Sequence, residues 1–121
     1  MQRDRDLIRK ILLDFETSYS AKSYEDRLQK EGYTENQIDY HAYLIIQGGL
    51  AEGERFYTHD GCRYPRATIA NLTWQGHEFT DAVKNESVWN KTREYIMEKG
   101  GSVPFTFLSQ LVLLFLNKHY S

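Results

Sequence analysis

The chain holds a single cysteine, Cys62, in 121 residues. No intrachain disulfide can form, which suits a reducing cytosol. Long apolar runs are missing as well. The longest is Leu111–Leu116, and the wider stretch 103–116 holds ten apolar residues in fourteen. A membrane span needs roughly 20, so this length reads as a buried or interface helix. The opening residues, MQRDRDLIRK, alternate in charge and lack the apolar stretch of a signal peptide. A cytoplasmic protein that keeps no membrane company is therefore expected, and the Asn-x-Ser/Thr triplets at Asn71, Asn85 and Asn90 read as chance.

Neither sign of charge dominates. Fifteen Lys and Arg face seventeen Asp and Glu, a net charge of −2. A domain that lives on nucleic acid is usually basic, so the whole-chain balance lends DNA binding no support and leaves only a local patch open. Catalytic signatures are absent too. There is no Gly-x-Ser-x-Gly elbow, no glycine-rich phosphate loop and no Cys/His neighbourhood. The reading is of a protein that is not an enzyme and has no cofactor and no small-molecule substrate. At 40% hydrophobic and 26% charged, the composition is that of a soluble globular chain able to bury one modest core.

What is present is a clear order of elements. Leu7, Ile8, Ile11, Leu12 and Phe15 recur at helical spacing, with Asp4 or Asp6 placed to cap the start. Ser23 opens a short second helix, with Tyr24 and Leu28 four apart, that stops at Gly32. Thr34-x-x-Gln37 is a capping box for a third helix, Tyr33 and Ile38 stand where a hydrophobic staple packs, and Gly48-Gly49 ends it. Ile38, Ala42 and Ile45 form its inner stripe. Asp60-Gly61 is a hairpin-turn signal between strands near Arg55–Thr58 and Arg66–Leu72, and Pro65 suits the start of an edge strand. Thr73 is an N-cap for a fourth helix.

The fourth helix contains His77-Glu78-Phe79-Thr80-Asp81, one letter short of the His-Glu-x-x-His zinc-hydrolase signature. Its inner face is Gly76, Phe79, Ala82 and Val83, which sends His77 and Asp81 to solvent. Zinc needs three or four ligands, and His41, His59 and His119 are scattered singly. No metal site is expected. Gly76 lets the helix lie close to the hairpin or the first helix.

The fold class that follows is α+β, mostly helical: a winged helix-turn-helix of three helices, a two-stranded wing and a fourth helix, with two further C-terminal helices. Residues 1–85 form the winged-helix domain and 86–121 a helical extension packed on that domain or on a dimer partner. The stretches RDRDLIRKILLDFE, YHAYLIIQGGLAEG, LTWQGHEFTDAVKNESVWNK and GGSVPF are similar to a bacterial and phage-associated family known as domain of unknown function 2513. The resemblance spans nearly the whole chain. It implies a small cytosolic protein, often carried by prophages or other mobile elements, and it brings no activity and no catalytic residue. The spacing Leu44…Gly49-Leu50…Leu72-Thr73…Gly76 is also shared by many winged-helix regulators, in which the third helix usually enters a DNA groove.

Two surfaces are candidates for function. On the third helix, Asn36, Tyr40, Tyr43 and Gln47 lie opposite Ile38. Asn and Gln can pair with adenine edges, but the helix carries Glu35 and Asp39 and no Lys or Arg, which works against phosphate attraction. Tyrosines in an uncharged stripe suit a protein interface as well, or pack beneath the C-terminal helices. The wing is the opposite: Arg55, Arg63 and Arg66, with His59, surround Asp60 and suit a phosphate backbone, or else keep a hairpin edge soluble. A nucleic-acid-binding regulator of bacterial or prophage origin is the leading expectation. The alternative is a phage factor that docks on a host protein and inhibits or redirects it.

In the C-terminal extension, a helix over 87–99 turns Val88, Trp89, Thr92 and Ile96 inward. Ser102 caps the last helix, with Pro104 in its first turn. Thr106, Ser109, Gln110 and Asn117 make one polar stripe, interrupted by Leu113, and the rest of that helix is apolar. So wide an apolar arc either threads the centre of the fold or pairs with a second copy. A homodimer through Phe107, Leu111, Leu114 and Phe115 is expected.

Overall fold

The computed structural model describes residues 3–18, 21–56, 66–100 and 105–120, with side chains for 3–17, 24–55, 66–100 and 108–118. The wing tip with His59, Asp60, Gly61, Cys62, Arg63 and Pro65 lies outside the described residues, as do Ser102 and Pro104. Among the described residues the chain is α+β and mostly helical, in the winged-helix layout. The order is α1 (Arg5–Ser18), α2 (Ala21–Lys30), α3 (Glu35–Gln47), β1 (Ala51–Phe56), β2 (Arg66–Leu72), α4 (Trp74–Lys84), α5 (Glu86–Glu98) and α6 (Phe105–Tyr120). The chain divides into two compact units, Met1–Gly76 and His77–Ser121. That division falls in the first turn of α4, earlier than residue 85.

In the first unit, each helix end is set by a side chain or glycine that satisfies otherwise orphaned backbone groups. Asp4 caps α1: its Oδ1 accepts from the amides of Asp6 (3.0 Å) and Leu7 (3.2 Å). α2 starts at Ala21, so Ser23 lies inside the helix and does not open it. Its end is a Schellman turn. Gly32, at φ +106°, donates to the Gln29 carbonyl, and Tyr33 donates to that of Leu28. α3 opens on the full Thr34/Gln37 capping box and closes on a second Schellman turn, with Gly49 at φ +84° and the Leu50 amide on the Ile45 carbonyl.

β1 and β2 pair antiparallel, Ala51 opposite Leu72 and Phe56 opposite Arg66, with a bulge between Glu52 and Gly53. α3 lies against both strands and against α1 and α2. The core gathers one stripe from every element: Leu7, Ile8, Ile11, Leu12 and Phe15 from α1, Tyr24 and Leu28 from α2, Ile38, Ala42 and Ile45 from α3, and Leu50, Ala51, Ala67, Ile69 and Leu72 from the sheet. Each of the large apolar side chains contributes about 1.5–3 kcal/mol by leaving water. The first turn of α4 is locked to the corner between α3 and β1. Thr73 Oγ1 donates to the Gly49 carbonyl (2.6 Å) and accepts from the Gly76 amide (3.0 Å).

In the second unit, Phe79, Ala82 and Val83 are the buried face of α4, while His77 and Asp81 are exposed. α5 begins at Glu86, one residue before the sequence suggests, because Asn85 is its N-cap and accepts from the Val88 amide at 3.1 Å. Its inward residues Val88, Trp89, Thr92 and Ile96 are buried, and the helix packs on α6. No described helix is long and apolar enough to cross a membrane.

Candidate functional site

The outward stripe of α3 is only partly bare. Asn36 and Gln47 are exposed, whereas Tyr40 and Tyr43 are half-buried. The Tyr40 ring stands edge-on to His41 at 5.6 Å between centroids. His41 itself is buried and fixed at both nitrogens. Nδ1 faces the Gln37 carbonyl at 2.7 Å and Nε2 accepts from the Asp4 amide at 2.8 Å. An accepting Nε2 requires the proton on Nδ1, so the ring is neutral. Burial holds its pKa below the ordinary histidine value.

The two described wing arginines, Arg55 and Arg66, have unlike surroundings. Arg55 is exposed on β1, and Arg63 lies outside the described residues. Arg66, at the first position of β2, turns back onto α3. Its Nε donates to Asp39 Oδ2 at 2.7 Å, and one terminal nitrogen reaches Asp39 Oδ2 at 2.6 Å and Glu35 Oε1 at 2.5 Å. Asp39 is buried, at 5% exposure, and Glu35 is open, with a side chain 61% exposed. The hydrogen bond to Asp39, above all, holds the Arg66 guanidinium charged.

A third carboxyl, Glu25 of α2, lies within electrostatic reach of Asp39. Burial first, and then the negative charge of Asp39, push Glu25 up to about 7. Burial also raises Asp39, against the pull of Arg66. Beside them the Tyr24 hydroxyl is buried next to the Ile69 backbone without a hydrogen bond of full geometry.

Arg66, read from the sequence as suited to a phosphate backbone or to keeping the hairpin edge soluble, turns its Nε and one terminal nitrogen to α3. The sequence offers no sign of this, because the partners stand 27 and 31 positions away. Glu35 and Asp39 are legible only as acids on the helix. Trp74, in the first turn of α4, is the largest exposed apolar side chain among the described residues, at 79%. It adjoins the Thr73–Gly49 contact at the C-terminal end of α3.

The other sequence candidates scatter. Asp81 faces Lys84 at 3.6 Å on the exposed side of α4. Among the described residues no three His, Cys, Asp or Glu gather closely enough to hold a metal. On α6, Leu111 is buried within the single chain, Phe115 stacks edge-on to Tyr95 at 6.1 Å, and Leu114 is 49% exposed. The Phe107 side chain lies outside the description.

An uncharacterized protein of Haemophilus influenzae (strain ATCC 51907 / DSM 11121 / KW20 / Rd) is 32% identical over 115 residues, covering 92% of each chain. No solved structure gives a significant match. The profile of the family described as "Hypothetical protein (DUF2513)" matches residues 2–102, and the chain belongs to that family.

Proposed function

We propose that this chain is a non-enzymatic binding module that engages another protein through the outward face of α3. One observation carries this reading: Arg66, the cation at the base of the wing beside α3, is held by Glu35 and Asp39. With no Lys or Arg on α3 itself, the helix that would enter a DNA groove offers phosphate no net attraction. Asn36, Tyr43, Gln47 and the neighbouring Trp74 instead make an uncharged, aromatic-containing surface, the composition that suits protein contacts. The partner in this reading is a host protein of the cell in which the module is expressed.

Nucleic acid is the second reading, supported by the winged-helix layout and by the exposed Arg55 on β1. A gel-shift titration with random duplex DNA at about 50 mM salt, where non-specific binding is strongest, separates the two. The protein reading expects no shift. It also expects a nuclease-resistant partner in host-lysate pull-downs that is lost with Tyr43→Ala or Trp74→Ala. A shift abolished by Arg55→Ala would replace it with the DNA reading. Self-association through α6 belongs to the same proposal and is supported by Leu114, a leucine 49% exposed on a largely apolar helix. Sedimentation of Leu114→Asp against wild type tests it: a wild type already monomeric at high micromolar concentration would end the dimer.

A further inference from the structure

We propose that His41 is an acid-operated clasp between α3 and the start of α1. It holds the chain at Asp4 while its ring is neutral and lets go when Nε2 takes a proton.

The ring lies almost wholly out of water, at 1% exposure, and each nitrogen has a fixed partner. Nδ1 stands 2.7 Å from the Gln37 carbonyl, one turn back along α3. Nε2 stands 2.8 Å from the backbone amide of Asp4, 37 positions away in the chain. A backbone amide only donates, so Nε2 accepts and the ring proton sits on Nδ1. An imidazolium has no lone pair left to accept with. A proton on Nε2 would therefore set two N–H groups head to head in a buried place, and one of them must move. The bond to Gln37 survives, because Nδ1 carries its proton in both states. The contact with α1 is the one that yields.

Asp4 gives that step its consequence. The residue that donates to His41 also caps α1, its Oδ1 accepting from the amides of Asp6 and Leu7. A positive ring repels the Asp4 amide and attracts the Asp4 carboxylate, which draws the carboxylate off the amides it caps. Asp4 faces the ring from the start of α1, and the Gln37 carbonyl and the Tyr40 ring face it from α3. Among the described residues no charged group of α2 or the sheet acts on it. Burial delays the proton further, so the clasp is closed above the ordinary histidine value of 6.5 and opens below it. Tyr40 carries the change to the outward stripe of α3, since its ring stands edge-on to the imidazole at 5.6 Å. That last step, regulation of a partner, rests on reading the stripe as a binding surface; the clasp itself does not.

The test needs no partner, so its failure leaves the binding reading standing. In nitrogen-15-labelled wild type at neutral pH, a scalar coupling across the hydrogen bond should link the Asp4 amide nitrogen to His41 Nε2, and Nδ1 should carry the proton. On acidification from about pH 7.5 to about pH 4.5 the coupling should vanish as the ring takes its second proton, and the Tyr40 ring signals should shift with the same midpoint. Protection of the Asp4 amide, corrected for intrinsic exchange, should fall by about tenfold per pH unit between 6.5 and that midpoint. In His41→Gln the amide oxygen still accepts from Asp4 and gains no proton over this range, so Asp4 protection and the Tyr40 signals should stay flat. Titration of the Asp4 carboxylate is common to both proteins and cancels in the comparison. No coupling at neutral pH, a proton on Nε2 there, or equal loss of Asp4 protection in both proteins overturns the clasp. If His41→Gln does not fold, the wild-type coupling and its loss with ring protonation decide alone.

Discussion

Arg55 and Arg66 sit one register step apart on paired strands, yet their removal should have unlike consequences. Arg55 is exposed, and its loss to alanine should change stability by no more than about 0.5 kcal/mol. Arg66→Ala strips a buried carboxylate of its cation, a change that costs about 3 kcal/mol or more, reduced to the extent that Asp39 takes up a proton. Urea denaturation at neutral pH measures both. Arg66→Lys should recover little, because one ammonium cannot reproduce the forked contacts to Asp39 and Glu35. Equal, small effects at the two positions would show that Arg66 is not holding α3. The contrast also separates structure from binding: a loss of affinity in Arg66→Ala would report a disturbed helix before it reported a lost phosphate. Read from the chain alone the two arginines are equivalent, since both follow from wing composition. What distinguishes them is a long-range ion pair, and no local spacing rule encodes that.

At the scale of elements, the close approach of α4 to the α3–β1 corner rests on Gly76. A Cβ there would stand 1.8 Å from the Leu50 carbonyl oxygen, a backbone atom that cannot step aside. Gly76→Ala should therefore destabilise by about 3 kcal/mol despite alanine's helix preference of about 1 kcal/mol. Thermal unfolding checks this, and a neutral or stabilising result would mean that the helix is free to slide. That Gly76 serves a close approach was legible in the sequence, though the hairpin or the first helix was the expected neighbour and not the α3–β1 corner. Legible too were an aspartate cap on α1, with Asp4 or Asp6 open, the Thr73 cap, the capping box and the glycine stop of α2. All are local patterns in which one side chain answers a neighbouring backbone group. The boundaries that slipped have equally local reasons. α4 and α5 are separated by Asn85 alone, whose amide donates back to Ala82 while its side chain accepts from Val88. One residue closes one helix and opens the next, with no glycine or proline to mark the corner. α2 reaches back to Ala21 because Ser23, a good cap by type, is not required to be one by the chain around it.

For the molecule as a whole, the sequence conveys a near-neutral balance of charge, and the structure shows where that balance is pH-sensitive. Two groups, the half-buried Glu25 and the buried His41, are shifted with opposite effects on folding. Glu25 in the folded chain is pushed up to about 7, above the ordinary 4.5. Between these values the folded state binds more protons than the unfolded one, so stability falls as pH rises through the window. His41 is held below its ordinary 6.5. Below that value the unfolded state takes up protons first, so stability falls as pH drops. The geometry gives the reason: a second proton on the ring would point an N–H at the Asp4 amide, which now donates to Nε2, and would disturb the cap of α1. The two slopes meet in weakly acidic solution, where maximal stability is expected. Melting temperatures across about pH 4.5 to 8.5 in wild type, His41→Gln and Glu25→Gln should show the acid limb flattened by the first substitution and the alkaline limb by the second. A glutamine at 41 can still offer one donor and one acceptor, so its folded state supports the comparison. If the His41 ring proton titrates by NMR at or above the ordinary histidine value, the acid limb belongs to other groups and the assigned tautomer is wrong.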